Sequence, residues 1–231
     1  FGNNKSDNTP HKFMTDGKLV EVYFSPSDQT TSHILETIEA VDNTLEFGLL
    51  SFTRDDLGQA VIDKDIEFGV TARGIIEQEN GTGSEFATLS AANVDVRSHT
   101  GVTHIFHHKY LIADANATGS DPTVLTGSHN WSNNAENNSD ENTLIIHDAT
   151  IANIYLQEFE KRWGELGGTN AIDELINVEV SIFPNPSAGI INIKSDLKIN
   201  QINVYAVDGK HLSTTESKTI DIAIKGIYFL K

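Results

Sequence analysis

Hydrophobic and polar positions divide the chain into two stretches with different rhythms. From Leu19 to Trp163, short apolar runs alternate with amphipathic segments. Val20–Phe24 is strand-like, and Ser25-Pro26-Ser27 breaks it. A helix capped at Thr31 or Ser32 follows, with Ile34, Leu35, Ile38 and Val41 on one face. The pattern then predicts a buried strand over Leu45–Phe52 and a short helix from Thr53 or Asp55. It continues with a strand over Val70–Ile76, a helix over Ser84–Ala91 and a strand over Val94–Arg97. Strands at Tyr110–Ala113, Val124–Thr126 and Leu144–Ile146 complete the set. A closing helix over Ala149–Trp163 presents Ile151, Ile154, Tyr155, Phe159 and Trp163. Strands separated by helical runs indicate a mixed-sheet α/β/α sandwich.

After Trp163 the rhythm changes. Gly164, Gly167, Gly168, Thr169 and Asn170 mark a linker, and from Ser181 the chain reads as short strands at Ile190–Lys194, Ile202–Ala206 and Ile227–Leu230, with a turn at Asp208-Gly209-Lys210. That is a small all-β sandwich. The expected organisation is a polar lead-in or linker over 1–18, an α/β domain over 19–165, a linker over 166–180 and a β domain over 181–231.

Composition adds bounds. A 38% hydrophobic content suffices for a core in one or two domains. No apolar run reaches the length of a membrane span. Cysteine is absent, which excludes disulfides and thiolate metal sites. The charge of −17 sits almost wholly in residues 1–165, where 10 basic face 26 acidic residues. Such a surface lacks the basic stripe of a tight DNA binder. The chain opens on Phe1, and is expected to be a fragment or a processed form.

The chemistry gathers at His107-His108-Lys109-Tyr110-Leu111-Ile112-Ala113-Asp114, a His-x-Lys-x4-Asp pattern. On a strand, period-2 alternation puts His107, Lys109 and Leu111 on one face. An imidazole nucleophile beside a fixed ammonium suits attack on a phosphodiester. Zinc binding by His99, His104, His107 and His108 is the competing reading, without a Cys or HExxH-like helix to support it. Downstream stand Gly127-Ser128-His129-Asn130 and then Asp140-Glu141-Asn142 before a strand.

These three motifs, in this order, resemble the phospholipase D superfamily over roughly residues 19–163. The resemblance implies a phospholipase D-type sandwich and a phosphodiesterase that works through a phosphohistidine, without metal or cofactor. His107 would be the nucleophile and Glu141 the acid that orients it. Lys109, Ser128 and Asn130 would hold the phosphate. Asp114 closes the catalytic motif, mostly in support of local structure. His108 and His129 read as structural or spacer residues, and Trp131 as core. One motif supplies one histidine where two are needed, so a second half is expected from a homodimer or an upstream repeat. The 1–18 segment is similar to the joint between repeats in some two-repeat members from Bacteroidetes-like bacteria.

Phe183-Pro184-Asn185-Pro186-Ser187-Ala188-Gly189, Val204–Lys210 and Gly226–Lys231 resemble the C-terminal sorting domain of type IX secretion cargo. This implies a secreted or surface-attached protein and the secretion machinery as partner. The substrate class stays open between phospholipid headgroups and, as the alternative, DNA or RNA. A secreted non-catalytic binding protein that retains the fold is the further alternative.

Overall fold

A computed structural model of the chain describes residues 2–67, 69–117, 119–167, 180–187, 189–195, 199–207, 210–222 and 226–230. The chain divides into two compact units, residues 1–171 and 172–231.

In the first unit the lead-in is not all irregular. Strand β1 (Lys12–Thr15) pairs antiparallel with β2 (Lys18–Phe24) across Asp16-Gly17, whose φ values of 49° and 75° are both positive. Two residues of positive φ match the twist of a tight hairpin. All four residues of β1 are exposed, so the strand leaves no hydrophobic alternation to read. The elements that follow are α1 (Thr30–Glu39), β3 (Thr44–Leu49), α2 (Asp55–Asp65), β4 (Thr71–Ile76), α3 (Phe86–Ala91) and β5 (Asp95–Ser98). After them come β6 (Lys109–Ala113), β7 (Thr123–Gly127), α4 (Asn133–Asn137), β8 (Asn142–His147) and α5 (Ala149–Glu165).

The eight strands form one mixed sheet in the order β1-β2-β8-β7-β6-β3-β4-β5. Strands β3, β4 and β5 run parallel, with α2 and α3 in their connections; the other pairings are antiparallel. Strand β6 is central and buried along its whole length. Its alternation divides the core. Leu111, with Leu125 of β7 and Ile145 of β8, packs under Ile34 and Ile38 of α1, Leu57 of α2 and Leu89 of α3. Tyr110 and Ile112, with Val124, pack against Ala152, Leu156, Phe159 and Trp163 of α5. Helices on both faces make the α/β/α sandwich that the periodicity predicted.

Two local expectations differ, and one further element appears. Ile154 is 58% exposed, because the i, i+4, i+7, i+11 stripe of α5 runs through Ala152, Leu156, Phe159 and Trp163. Helix α1 begins after Gln29, a left-handed residue (φ 50°) that gives no side-chain cap, so Thr31 and Ser32 lie inside the helix. The polar run after Ser132 contains α4, with the Ser132 side chain accepting from the Ala135 amide at 3.2 Å.

The second unit holds β9 (Val180–Phe183), β10 (Ile190–Ser195), β11 (Ile202–Ala206), β12 (His211–Thr215), β13 (Thr219–Asp221) and β14 (Tyr228–Leu230). They form two antiparallel three-stranded sheets, β13-β10-β9 and β12-β11-β14. Ile191, Ile193 and Ile220 of the first meet Ile202 and Val204 of the second in a common core. The Asp208-Gly209 turn and residues 168–179 of the linker lie outside the described residues.

Candidate active site

Register brings the motifs together. Tyr110 pairs with Thr126, and Gly127 with Thr143, so the start of β6, the end of β7 and the start of β8 share one edge of the sheet. At about 4.8 Å between neighbouring strands, the groups carried there span roughly 10 Å. Lys109 opens β6 on the same face as Leu111. His107 sits two residues earlier, exposed, in the irregular approach to the strand.

The Lys109 ammonium is buried. Its Nζ lies 3.4 Å from His107 Nδ1 and donates to the His107 carbonyl at 3.3 Å. Burial lowers the Lys109 pKa from its ordinary value, and the charge of Glu141 opposes that shift. Glu141 is therefore within electrostatic reach of Lys109. Its carboxylate makes no hydrogen bond to His107 among the described residues; its backbone carbonyl accepts from the Ser25 amide at 3.2 Å. Among the described residues, then, Glu141 approaches this edge through its charge near Lys109 rather than through a contact to the His107 ring.

Ser128 joins β7 to β8. Its Oγ accepts from the Asn142 backbone amide at 3.0 Å and from Asn142 Nδ2 at 3.3 Å, and its own amide donates to the Asn142 carbonyl at 3.0 Å. Those contacts use the lone pairs of the hydroxyl and leave its proton to donate elsewhere. The approach requires glycine at 127: φ is +153°, and a Cβ there would stand 2.2 Å from the Asn142 carbonyl oxygen. Asn130 is half-buried, its Oδ1 enclosed and without a hydrogen-bond partner among the described residues.

Asp114, expected in the catalytic set, is brought elsewhere. It ends β6 at the opposite edge of the sheet, fully buried, with φ +54°. Its carboxylate accepts from the backbone amides of Asp42, Asn43 and Thr44 at 3.0, 2.7 and 2.9 Å, and from Ser120 Oγ at 2.5 Å. Burial opposes its charge, but these hydrogen bonds outweigh burial and lower its pKa. Asp114 ties the β3 entrance to β6 and does not reach the His107 edge. His108 points to the α5 face, edge-on to Phe106 and Tyr110 and 3.8 Å from Glu158, as alternation requires. Trp131 is wholly buried against Phe52 and Phe47.

The histidine-cluster reading of a zinc site fails on placement. His99 is buried and held by Glu77 Oε2 at 2.7 Å, and His108 faces α5. Among the described residues, the one group of three that could converge on an ion is Asp7, His11 and Asp28. There the His11 ring nitrogens already contact Val22 O at 2.8 Å and Asp7 at 2.7 Å.

Two acids of the site were not visible to sequence reasoning. Glu77, just past β4, holds the His99 ring and also accepts from the Phe106 amide at 3.0 Å, suspending the loop that ends at His107. Its partners lie 22 and 29 residues away, so no local pattern marks it. Glu136 on α4 is the other, and the signal for it was Ser132 capping the Asn-rich run.

Residues 34–163 match the family model for the cardiolipin synthase, phospholipase D-like domain, and residues 181–231 match the secretion system C-terminal sorting domain. The chain belongs to the phospholipase D superfamily and carries a secretion sorting domain at its C-terminus. It is 32% identical to a mitochondrial cardiolipin hydrolase of Mus musculus over 145 residues, 62% of each chain. It is also 28% identical over 145 residues to a phospholipase D of Rickettsia prowazekii (strain Madrid E), covering 62% of this chain and 67% of that one. The chain thus spans about three fifths of the length of the cardiolipin hydrolase it matches. Among solved structures it resembles the phospholipase D family member Nuc of Salmonella typhimurium. The TM-score is 0.54 at 26% identity, covering 63% of this chain and 93% of that one. The relatives named here are a cardiolipin hydrolase, a phospholipase D and a phospholipase D family member, all of one superfamily.

Proposed function

We propose that the chain is an exported phosphodiesterase that cleaves through a phosphohistidine on His107. The observation that carries this is the buried Lys109 ammonium 3.4 Å from the exposed His107 ring, at a sheet edge shared with Ser128, Asn130 and Glu141. His107 attacks phosphorus and the leaving alkoxide departs in line, taking its proton from a second histidine. The second histidine, now neutral, then takes a proton from a water that attacks the phosphohistidine from the leaving-group side, and the P–N bond breaks to free His107. Lys109, the Asn130 amide and the Ser128 hydroxyl hold the non-bridging oxygens as charge builds. No metal or cofactor enters this scheme. The second histidine comes from another copy of the chain or from an upstream repeat, and the same partner completes the surroundings of Glu141 and His107.

The substrate we favour is a phospholipid headgroup, in keeping with the hydrolases named above. Nuclease activity is the second reading, favoured by the match to Nuc over 93% of its length. A non-catalytic binding role has less support, since His107, Lys109, Asn130 and Glu141 are all present. The sorting domain directs the protein outward by the type IX route, to the medium or the cell surface.

Wild type and His107→Asn, each with excess EDTA, should be assayed on phosphatidylcholine and cardiolipin vesicles, on single- and double-stranded DNA and on bis-p-nitrophenyl phosphate. Turnover of one class by wild type, lost in His107→Asn and surviving EDTA, is expected. Specific activity rising with dimer population identifies a second copy as the source of the other histidine. Equal activity in His107→Asn would defeat the mechanism.

A further inference from the structure

The loop after β7 alternates as a strand would. Ser128 and Asn130 are half-buried, while His129 and Trp131 are almost completely enclosed. The enclosure of Trp131 is explained by the core: its ring packs at 4.8 Å from Phe52, its amide donates to Ser51 O at 3.2 Å, and its carbonyl accepts from Thr53 at 2.8 Å. His129 is different. Among the described residues both side chains hold enclosed nitrogens without a well-aligned hydrogen bond, Trp131 its indole Nε1 and His129 both ring nitrogens, but His129 has no aromatic packing partner and lies against a carboxylate.

What the His129 ring does meet is charge. Its Nε2 lies 3.3 Å from Glu136 Oε2, an ion-pair approach off the ideal hydrogen-bond line. The same oxygen accepts from the Thr31 amide at 2.9 Å and from Thr31 Oγ1 at 2.7 Å. Helix α1, which lacks a side-chain cap of its own, is thus capped from α4 by Glu136, and a carboxylate there suits the positive end of the helix. Burial penalises the Glu136 charge, yet the contacts from His129 and Thr31 outweigh it and hold the carboxyl below its ordinary pKa. One acid therefore fixes the start of α1, the short α4 and the ring next to Asn130.

We propose that His129 is a positioning residue for Asn130: clamped against Glu136, it sets the peptide whose side-chain amide meets the substrate phosphate. The two anchors lie on either side of Asn130, with Trp131 held by the core and His129 held by Glu136. With both in place the Asn130 amide has one orientation before substrate arrives. Preorganisation of this kind acts on turnover more than on binding, because the phosphate contact strengthens as charge develops. The inference rests on the phosphodiesterase reading for its kinetics, and on geometry alone for the order of the Asn130 side chain.

The test uses the full chain with His129→Leu, which keeps bulk and removes the nitrogens, and His129→Gln, which keeps a donor toward Glu136. On whichever substrate wild type turns over, His129→Leu should lose between about tenfold and a hundredfold in kcat with KM within about twofold. His129→Gln should recover most of the loss. The Asn130 side-chain amide signals, assigned by comparison with Asn130→Asp in nitrogen-15 spectra, should be a single pair in wild type and split or broaden in His129→Leu. A purely structural His129 would lower the melting temperature and leave kcat per folded molecule and the Asn130 signals unchanged, which overturns the proposal. Should His129→Leu fail to fold, His129→Met takes its place: a split Asn130 pair with lowered kcat, restored in His129→Gln, supports the proposal, and an unaltered pair with full kcat refutes it. A wild type that stays inactive both as a dimer and when joined to an upstream repeat, with a His129-dependent Asn130 pair, would sink the phosphodiesterase reading and keep this one.

Discussion

The two ends of strand β6 carry the two ends of one motif and are built on opposite principles. At the Asp114 end the carboxylate accepts from three backbone amides and one hydroxyl, and nothing there is left for a ligand. About 17 Å away, at roughly 3.4 Å per residue, the Lys109 end is left incomplete. Among the described residues Lys109 is buried with long contacts to His107, and the Ser128 hydroxyl keeps its proton. Burying polar groups costs stability unless they are paired. An edge of the sheet that keeps donors under-paired has hydrogen-bonding capacity left for a ligand. The motif thus joins an open end and a filled end along one strand, and substitutions at the two should fail differently.

The sharpest separation comes from Lys109→Ala. The lysine is the cation nearest His107, and its charge matters most when the phosphoryl oxygens are most negative. We expect kcat to fall on the order of a hundredfold or more, with the melting temperature unchanged or slightly higher, since a buried ammonium is removed. Comparing kcat with a thermal melt on the same sample checks this. A variant that unfolds instead would make Lys109 part of the scaffold and erase the contrast between the ends.

Asp114→Asn should do the reverse. Asparagine tolerates the left-handed backbone, so the loss is confined to acceptor capacity and charge. We expect about 2–3 kcal/mol of stability to go, with kcat per folded molecule close to wild type. The pH dependence follows from the sign of the shift. The folded carboxyl has a lowered pKa, so its stabilisation is complete above the unfolded value and is lost as pH falls through the folded one. Wild type should therefore lose stability on acidification through that window, and Asp114→Asn should show a flatter acid limb. Denaturant melts from pH 7 to pH 3 measure both, and equal acid limbs would remove Asp114 as the titrating group.

How far the sequence discloses this arrangement depends on the range of the interaction. Strand β6 was legible because Tyr110, Leu111, Ile112 and Ala113 form a continuous apolar run, the mark of a strand buried on both faces. The alternation that separates Lys109 from His108 was legible for the same reason. Strand β1 was not, since every residue in it faces solvent and its register comes from the Asp16-Gly17 turn. Helix α4 hid in an Asn-rich run because its one strong local signal is the Ser132 cap. Glu77 and Glu136 act across 22 to 105 residues, where a sequence pattern carries no distance information. Asp114 was visible as a motif member, but that its acceptor sites are filled depends on Asp42, Asn43, Thr44 and Ser120 arriving from elsewhere in the fold.

The smallest effect expected is the one that fixes the register of the whole comparison. His108 is adjacent to His107 and carries the same ring, yet it faces α5, edge-on to Phe106 and Tyr110 and 3.8 Å from Glu158. Burial is the largest influence on it and lowers its pKa, which Glu158 only partly offsets, so the folded protein resists charging it. Where the unfolded chain would take up a proton there and the folded one would not, stability rises with pH. Below the ordinary histidine range wild type should therefore lose a little stability that His108→Asn, which never charges, retains. Turnover of His108→Asn should stay within about twofold of wild type, because the ring packs toward α5 and, among the described residues, makes no hydrogen bond to Lys109, Ser128 or Asn130. Kinetics on the substrate that wild type cleaves, beside melts at pH 5 and pH 8, give both numbers. If His108→Asn were instead the inactive variant, the face assignment of β6 would be inverted, and His108 would replace His107 as the attacking group.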